Sequence, residues 1–347
     1  MLSTSLRGAR RPGLAAPLQG GMVIGRNGLG ELKTVGRPRW PEPVEGPQGQ
    51  APSRPGLLRA SVIVRARNMA PSIVAALRSL RDQTVEVEVV LVDSGSTDAT
   101  VALARPYCDK VVHIAPESFS YGRALNVGAA EGSGDICFAL SAHRVAPGTH
   151  WVEHSLEAYA DPRVVATMGE TTGPDGRPLE GPVTYRLPLP ALAANLSWGL
   201  SNTASSWRRT SWESEPFNEA LGACEDKEWM WRVLERGWAV VADPRLHVDA
   251  EHRRKAGLVA LYRRVRAEHQ ALAELVGYPV PGLAELVRDW VSDFPYASHW
   301  PSWTRVLSPY RGAELLGGFV GDRAGGARRG PGALPLEFFA REPARGA

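Results

Sequence analysis

Cysteine is scarce in this chain: Cys108, Cys137 and Cys224 are the three in 347 residues, and they form no C-x-x-C pair. That spacing argues against a disulfide framework and against a thiolate zinc site. Reduced thiols fit a cytoplasmic protein. Long apolar runs are missing too. No stretch reaches the roughly 18 apolar residues of a membrane-spanning helix, so none is expected. The basic N-terminus lacks the apolar core of about 7–15 residues that marks a secretory signal. Neither sign of charge dominates, since 40 Lys and Arg stand against 37 Asp and Glu, for a net charge of +3. Arginines crowd the two ends, as Arg7, Arg10 and Arg11 and as Arg323, Arg328 and Arg329. No basic stripe interleaved with aromatics crosses the middle, which argues against nucleic acid as a partner. A mild attraction to anionic substrates or a membrane surface stays open. The glycine-rich Gly-x-Gly-x-x-Gly turn is also absent after the first strand, which disfavours a dinucleotide-dependent dehydrogenase.

What is present is an ordinary globular composition, 44% apolar and 22% charged, in a chain long enough for one large α/β domain or two modest ones. Residues 1–57 are rich in Arg, Gly and Pro without a sustained period and read as a disordered or loosely attached leader. From Ser61 the pattern becomes regular. Strands are expected at 61–64, 87–92, 111–114 and 135–140, and helices at 71–83, 97–107 and 122–132. The second of these helices should be capped near Ser96. Alternation of this kind predicts parallel βαβ units in a doubly wound α/β sheet. Further on, a strand is expected at 164–168, a Pro/Gly-rich loop at 171–189, a helix at 225–236, a strand at 238–242 and a long helix at 258–275. The remainder, 276–347, reads as a helical extension with a flexible tail.

The most informative stretch is Val89-Val90-Leu91-Val92-Asp93-Ser94-Gly95-Ser96-Thr97-Asp98. An apolar β-branched run that stops at Asp-Ser-Gly-Ser reads as a buried parallel strand ending in a polar turn. Ligands of open α/β sheets bind at the carboxyl ends of such strands. A serine N-cap for the next helix explains the same residues without a ligand.

Four other segments accompany it in order. They are Val62-Ile63-Val64-Arg65-Ala66-Arg67-Asn68, Gly122-Arg123-Ala124-Leu125-Asn126-Val127-Gly128, Phe138-Ala139-Leu140-Ser141-Ala142-His143, and Phe217-Asn218-Glu219 with Glu225-Asp226-Lys227-Glu228-Trp229-Met230-Trp231-Arg232. The series resembles family 2 glycosyltransferases, inverting enzymes of GT-A fold, and within them a rhamnosyltransferase-like bacterial branch. The resemblance covers about residues 60–275.

It implies a GT-A domain over 58–275, with a nucleotide-binding half at 58–145 and an acceptor half at 146–275. It implies a nucleotide-sugar donor held by Arg65, Arg67, Asn68, Asp93, Ser94, Gly95, Ser96, Asn126, Ser141 and His143. An inverting transfer needs a base to take the acceptor's proton. Asp226 matches that position and Glu225 its acidic neighbour. Trp229 and Arg232 would meet the acceptor: a glycan, a lipid-linked sugar or a small molecule. Acidic residues at a helix start also stabilise it through its dipole, and an aromatic at helical spacing is often core. The family's Asp-x-Asp is replaced by Ser141-Ala142-His143. Two carboxylates there would hold Mg²⁺ or Mn²⁺. A histidine suits Mn²⁺ better than Mg²⁺, so His143 and the late His252 become candidate metal or diphosphate contacts. The enzyme would make cell-surface or secondary-metabolite glycans in the cytoplasm, with peripheral contact to the inner face of the membrane left open. Two alternatives also stay open. One is a sugar nucleotidyltransferase, though the usual glycine-rich loop and lysine are missing after strand one. The other is a catalytically weak or dead relative that binds glycan or nucleotide sugar.

Overall fold

The computed structural model describes residues 58–174, 177–186, 198–248, 257–276, 280–292 and 308–326. The expected leader, His252 and the tail beyond 326 lie outside them. The described strands are β1 (Ala60–Ala66), β2 (Val87–Asp93), β3 (Lys110–His113), β4 (Ile136–Ser141), β5 (Val164–Met168), β6 (Val183–Tyr185), β7 (Ala204–Arg208) and β8 (Ala239–Ala242). They form a single sheet in the order β3-β2-β1-β4-β7-β5-β8-β6. Pairing is parallel across β3-β2-β1-β4 and between β5 and β8. It is antiparallel where β7 enters between β4 and β5, and where β6 joins β8. The sheet is therefore α/β and mixed, with its first half wound as expected.

Side chains alternate across the sheet, and so two cores form. Ile63, Val90, Val92, Leu125, Trp207 and Trp229 fill one face. Val62, Val64, Leu77, Leu91, Phe138 and Trp151 fill the other. The helices that cover them are α1 (Ile73–Arg81), α2 (Thr100–Ala104), α3 (Tyr121–Glu131), α4 (Trp151–Glu157), α5 (Arg209–Ser214), α6 (Glu225–Glu235), α7 (Leu258–Val276), α8 (Leu283–Ser292) and α9 (Pro309–Gly326). Helix α9 packs along α7 so tightly that Gly317, Gly321 and Gly325 face α7 backbone carbonyls where a Cβ would collide.

Three expectations change. Helix α2 starts at Thr100, because Asp98 accepts from the Thr100 N–H at 2.9 Å. Ser96 does not cap it; its hydroxyl accepts from the Asn68 N–H at 2.9 Å instead. The loop expected at 171–189 contains β6. Strand β7 has no expectation behind it, since Ala-Ser-Ser-Trp-Arg lacks an apolar period. Its serines are buried because other side chains satisfy them: Ser206 Oγ lies 2.7 Å from each of Ser155, Tyr159 and Thr167.

Candidate active site

The parallel register brings the carboxyl ends of β1, β2 and β4 to one edge. Ala66 pairs with Asp93, and Arg65 pairs with Ser141. Two clusters form along this edge.

The first joins the ends of β1 and β2. Asp93 is buried, 2% exposed, and accepts from the Gly95 and Ser96 N–H groups at 3.2 Å. Its Oδ2 also lies 3.3 Å from Nδ1 of the exposed His113. Ser94 Oγ donates to the Ala66 carbonyl at 3.2 Å. Asn68 accepts from the Thr97 N–H at 2.8 Å. The turn needs left-handed backbone at Gly95, φ +86°, and at Asn68, φ +53°. A side chain on Gly95 would strike the Pro116 ring, while asparagine is among the few residues that tolerate this region. Arg67 is exposed at the rim beside them.

The second cluster joins β1, the turn after β4, residues 199–203 and the start of α6. Arg65 is mostly buried. Its guanidinium sits 3.5 Å from Glu225 Oε1, donates to the Asn202 carbonyl at 2.9 Å, and stacks 5.3 Å from the Tyr121 ring centre. Asp226 is half-exposed. It accepts from the Asn202 N–H and from its own neighbour's, that of Lys227, each at 2.9 Å. The Asn202 amide donates to Glu225 Oε1 at 3.3 Å. Ser141 ends β4 in a tight turn through Arg144 N–H at 2.8 Å, and its own N–H donates to the Thr203 carbonyl at 2.9 Å. His143 sits half-buried in that turn. Lys227 Nζ donates to the Leu200 carbonyl at 3.2 Å, which ties the same loop to α6.

Helix α6 leaves Cys224 in left-handed backbone, φ +61°, just before two acids. Burial pushes the Glu225 carboxyl up to about 7; the adjacent Asp226 charge adds to this and Arg65 offsets part of it. A carboxylate taken out of water holds its proton more tightly. Burial likewise raises the Cys224 thiol well above its usual range, aided by the Asp226 and Glu268 charges.

Three expected site residues are not here. Trp229 is fully buried, packs 5.5 Å from the Phe217 ring and donates its indole N–H to the Glu215 carbonyl. The phase of α6 turns it into the core, away from any acceptor. Arg232 is consumed by Glu228 at 2.7 Å, Glu215 at 2.6 Å and the Pro216 carbonyl at 2.8 Å. Asn126 spends its whole amide on the framework. Its oxygen accepts from Trp212 and Phe217, and its nitrogen donates to Phe217 and Glu219. Asn202 enters unannounced, because a lone asparagine between Ser201 and Thr203 carries no motif.

The donor chemistry speaks against a built cation site. Among the described residues no group of three or more His, Cys, Asp or Glu side chains could hold a metal ion. Ser141 and His143 alone do not supply the oxygen shell that Mg²⁺ or Mn²⁺ takes. No helix among the described residues is long and apolar enough to cross a membrane.

Residues 61–212 match the family model described as glycosyl transferase family 2. The match stops short of Glu225 and Asp226. No curated protein matches the chain. Among solved structures, a mannosyltransferase from Pyrobaculum calidifontis, in complex with GDP-Man and Mn²⁺, superposes with a TM-score of 0.54 at 18% identity, over 82% of this chain and 88% of its own. A mycobacterial protein superposes with a TM-score of 0.50 at 22% identity, over 64% of this chain and 76% of its own. With its mixed sheet and the carboxyl edge of β1, β2 and β4, the chain has a GT-A fold, and its residues 61–212 are similar to the glycosyl transferase family 2 model.

Proposed function

We propose that this protein moves a sugar from a nucleotide-sugar donor to a hydroxyl acceptor with inversion at the anomeric carbon. The observation that carries this reading is the half-exposed Asp226 carboxylate, aimed by the Asn202 N–H at the sheet edge beside buried Glu225. In the reaction the acceptor oxygen attacks the anomeric carbon while its proton passes to Asp226. The bond from that carbon to the diphosphate breaks, and the nucleoside diphosphate leaves with the electron pair. A positioned base of this kind contributes about a hundredfold to ten-thousandfold.

The nucleoside would lie against the turn built by Asn68, Asp93, Ser94, Gly95 and Ser96, whose outward groups are backbone and exposed amide. Arg67, at the rim of that turn, and His143, in the turn after β4, would meet the diphosphate charge. Arg65 is neutralised by Glu225 and acts on the acids rather than on the phosphates. No step is assigned to a divalent cation, because the donor set among the described residues does not fit one. The donor sugar, the acceptor's class and a cytoplasmic setting belong to the same reading. Within the acceptor half, 146–275, the acceptor would meet residues 199–203 and the start of α6.

The test is transfer and donor hydrolysis across a panel of uridine, guanosine and thymidine diphosphate sugars, followed by anomeric analysis of the product. Inverted configuration supports the reading. Retained configuration, or no turnover of any donor, overturns it.

A further inference from the structure

Asn202 is 1% exposed, and the site engages each of its polar groups. Its N–H donates to Asp226 Oδ2 at 2.9 Å and its carbonyl accepts from Arg65 at 2.9 Å. Its side-chain nitrogen donates to Glu225 Oε1 at 3.3 Å, and its side-chain oxygen accepts from Ser205 Oγ at 3.0 Å. Asn202 thus contacts the acid that would act as base, that acid's buried neighbour and the cation that pairs with the neighbour. Ser205 belongs to β7, so the side chain is anchored to the sheet. A buried polar residue whose donors and acceptors are all used is held in one arrangement.

We propose that Asn202 is the positioning residue of the acidic pair: it locks Glu225 and Asp226 to Arg65 of β1, so that Asp226 presents one orientation to the acceptor. This rests on the reading of Asp226 as the base. The side-chain amide fixes the residue, and the fixed residue aims its own N–H at Asp226. The charged groups around the pair come from several elements. Arg65 belongs to β1, Cys224 and Lys227 flank the acids on their own chain, and Arg264 and Glu268 approach from α7, with Tyr121 of α3 beside Arg264. None of these places a hydrogen bond on both acids in the way Asn202 does.

The experiment compares wild type with Asn202→Ala, Asn202→Asp and the swap Asn202→Asp/Glu225→Gln. Asn202→Asp keeps the size but sets an oxygen against Glu225. The swap restores a donor facing an acceptor with the roles exchanged. With Asn202→Ala and Asn202→Asp, kcat is expected to fall by about a hundredfold, the usual cost of misplacing a reacting group by about an ångström. The donor KM should stay within about twofold, because the lost interaction is not a donor contact. In Asn202→Asp the acid limb of the kcat profile should move to higher pH, since an added carboxylate raises the proton affinity of the others. The swap should recover at least about tenfold over Asn202→Asp, the signature of a coupled pair.

A readout that needs no turnover is the carboxyl ¹³C NMR titration of Glu225 and Asp226. Both signals should shift to higher pH in Asn202→Asp, and in the swap, where position 225 carries no carboxyl, the Asp226 signal should return toward its wild-type course. If wild type turns over no donor while this titration shifts and returns, the positioning role stands and the transferase reading fails. A folded Asn202→Ala with kcat within about threefold of wild type, or titrations that do not move in Asn202→Asp, overturns the role. Should Asn202→Ala not fold, the isosteric Asp variant and its swap decide alone.

Discussion

The two clusters on the sheet edge are held in opposite ways. At the ends of β1 and β2, Asp93, Ser94, Ser96 and Asn68 are held within two short turns by backbone groups and hydroxyls, with the titratable His113 ring beside Asp93. At the start of α6, two carboxylates sit side by side with one guanidinium and one buried amide between them. The first cluster is locally saturated: its carboxylate has lost water and gained donors. The second is under-neutralised: Glu225 is driven toward its protonated form, while Asp226 keeps access to solvent. A saturated turn makes a rigid seat for a neutral or weakly polar group such as a nucleoside. An under-neutralised pair holds a group that can take a proton. In the proposed reading, such divergent environments along one edge would separate binding work from proton transfer.

The largest expected effect tests the second cluster. Asp226→Asn keeps the acceptor for the Asn202 N–H but removes the basic oxygen. Transfer should fall by about a hundredfold to ten-thousandfold. Affinity for nucleoside diphosphate by calorimetry should hardly move, and the melting temperature should fall only slightly, because Asp226 lies in the first turn after the Cys224 cap and the change removes one acceptor, that of the Lys227 N–H. Transfer within a few-fold of wild type would put the base elsewhere, and Glu225 would be the next residue to change.

A smaller effect sharpens the first cluster. Asp93→Ala leaves the Gly95 and Ser96 N–H groups and the His113 ring without their acceptor. Hydrogen bonds to an ionised group are each worth about 1.5–3 kcal/mol. Stability and nucleoside diphosphate affinity should therefore drop together, by an amount of that order in each. Asp93→Asn should recover most of both, since one carbonyl oxygen still faces the turn. If Asp93→Ala weakened nucleotide binding with no loss of stability, Asp93 would be touching the ligand rather than building its seat.

The contrast also explains what could be read from the residues in order. The first half was legible: β-branched runs, helices between them and Asp-Ser-Gly-Ser at a strand end lie in contiguous stretches, and local chemistry sets their structure. Glu225 and Asp226 were legible as adjacent acids opening a helix. Asn202 was not, since its partners lie 23 and 24 residues on and 137 residues back, and no period connects them. Strand β7 escaped for a related reason: burial of Ser205 and Ser206 depends on hydroxyls supplied by α4 and β5 and on the side-chain oxygen of Asn202. Trp229 and Asn126 were misread because stacking and amide chemistry are equally at home in a core. Only the helix phase and the full set of Asn126 partners assign them to the framework. Arg232 lost its expected role to Glu215, a residue 17 positions earlier that the motif does not include.

A third effect bears on proton holding at Glu225. Burial, with the Asp226 charge behind it, raises this carboxyl from an ordinary 4.5 to about 7 in the folded protein. A group whose folded pKa lies above its unfolded value stabilises the fold fully below the unfolded pKa. That contribution disappears as pH rises through the folded pKa. Wild type should therefore lose stability between about pH 4.5 and 7 at this site, while a glutamine, which does not titrate, should not. Glu225→Gln carries a pH-independent cost from weakening the pair with Arg65. Against that constant offset, its stability relative to wild type should improve by on the order of 3 kcal/mol between pH 4.5 and pH 8. Urea unfolding of both proteins at the two pH values measures the difference directly. An unchanged difference would mean that Glu225 is ionised at both, with Arg65 neutralising it as fully as the first cluster neutralises Asp93. The distinction between a saturated seat and an under-neutralised pair would then collapse, and Asp226 would have to act as a base beside a permanent negative charge.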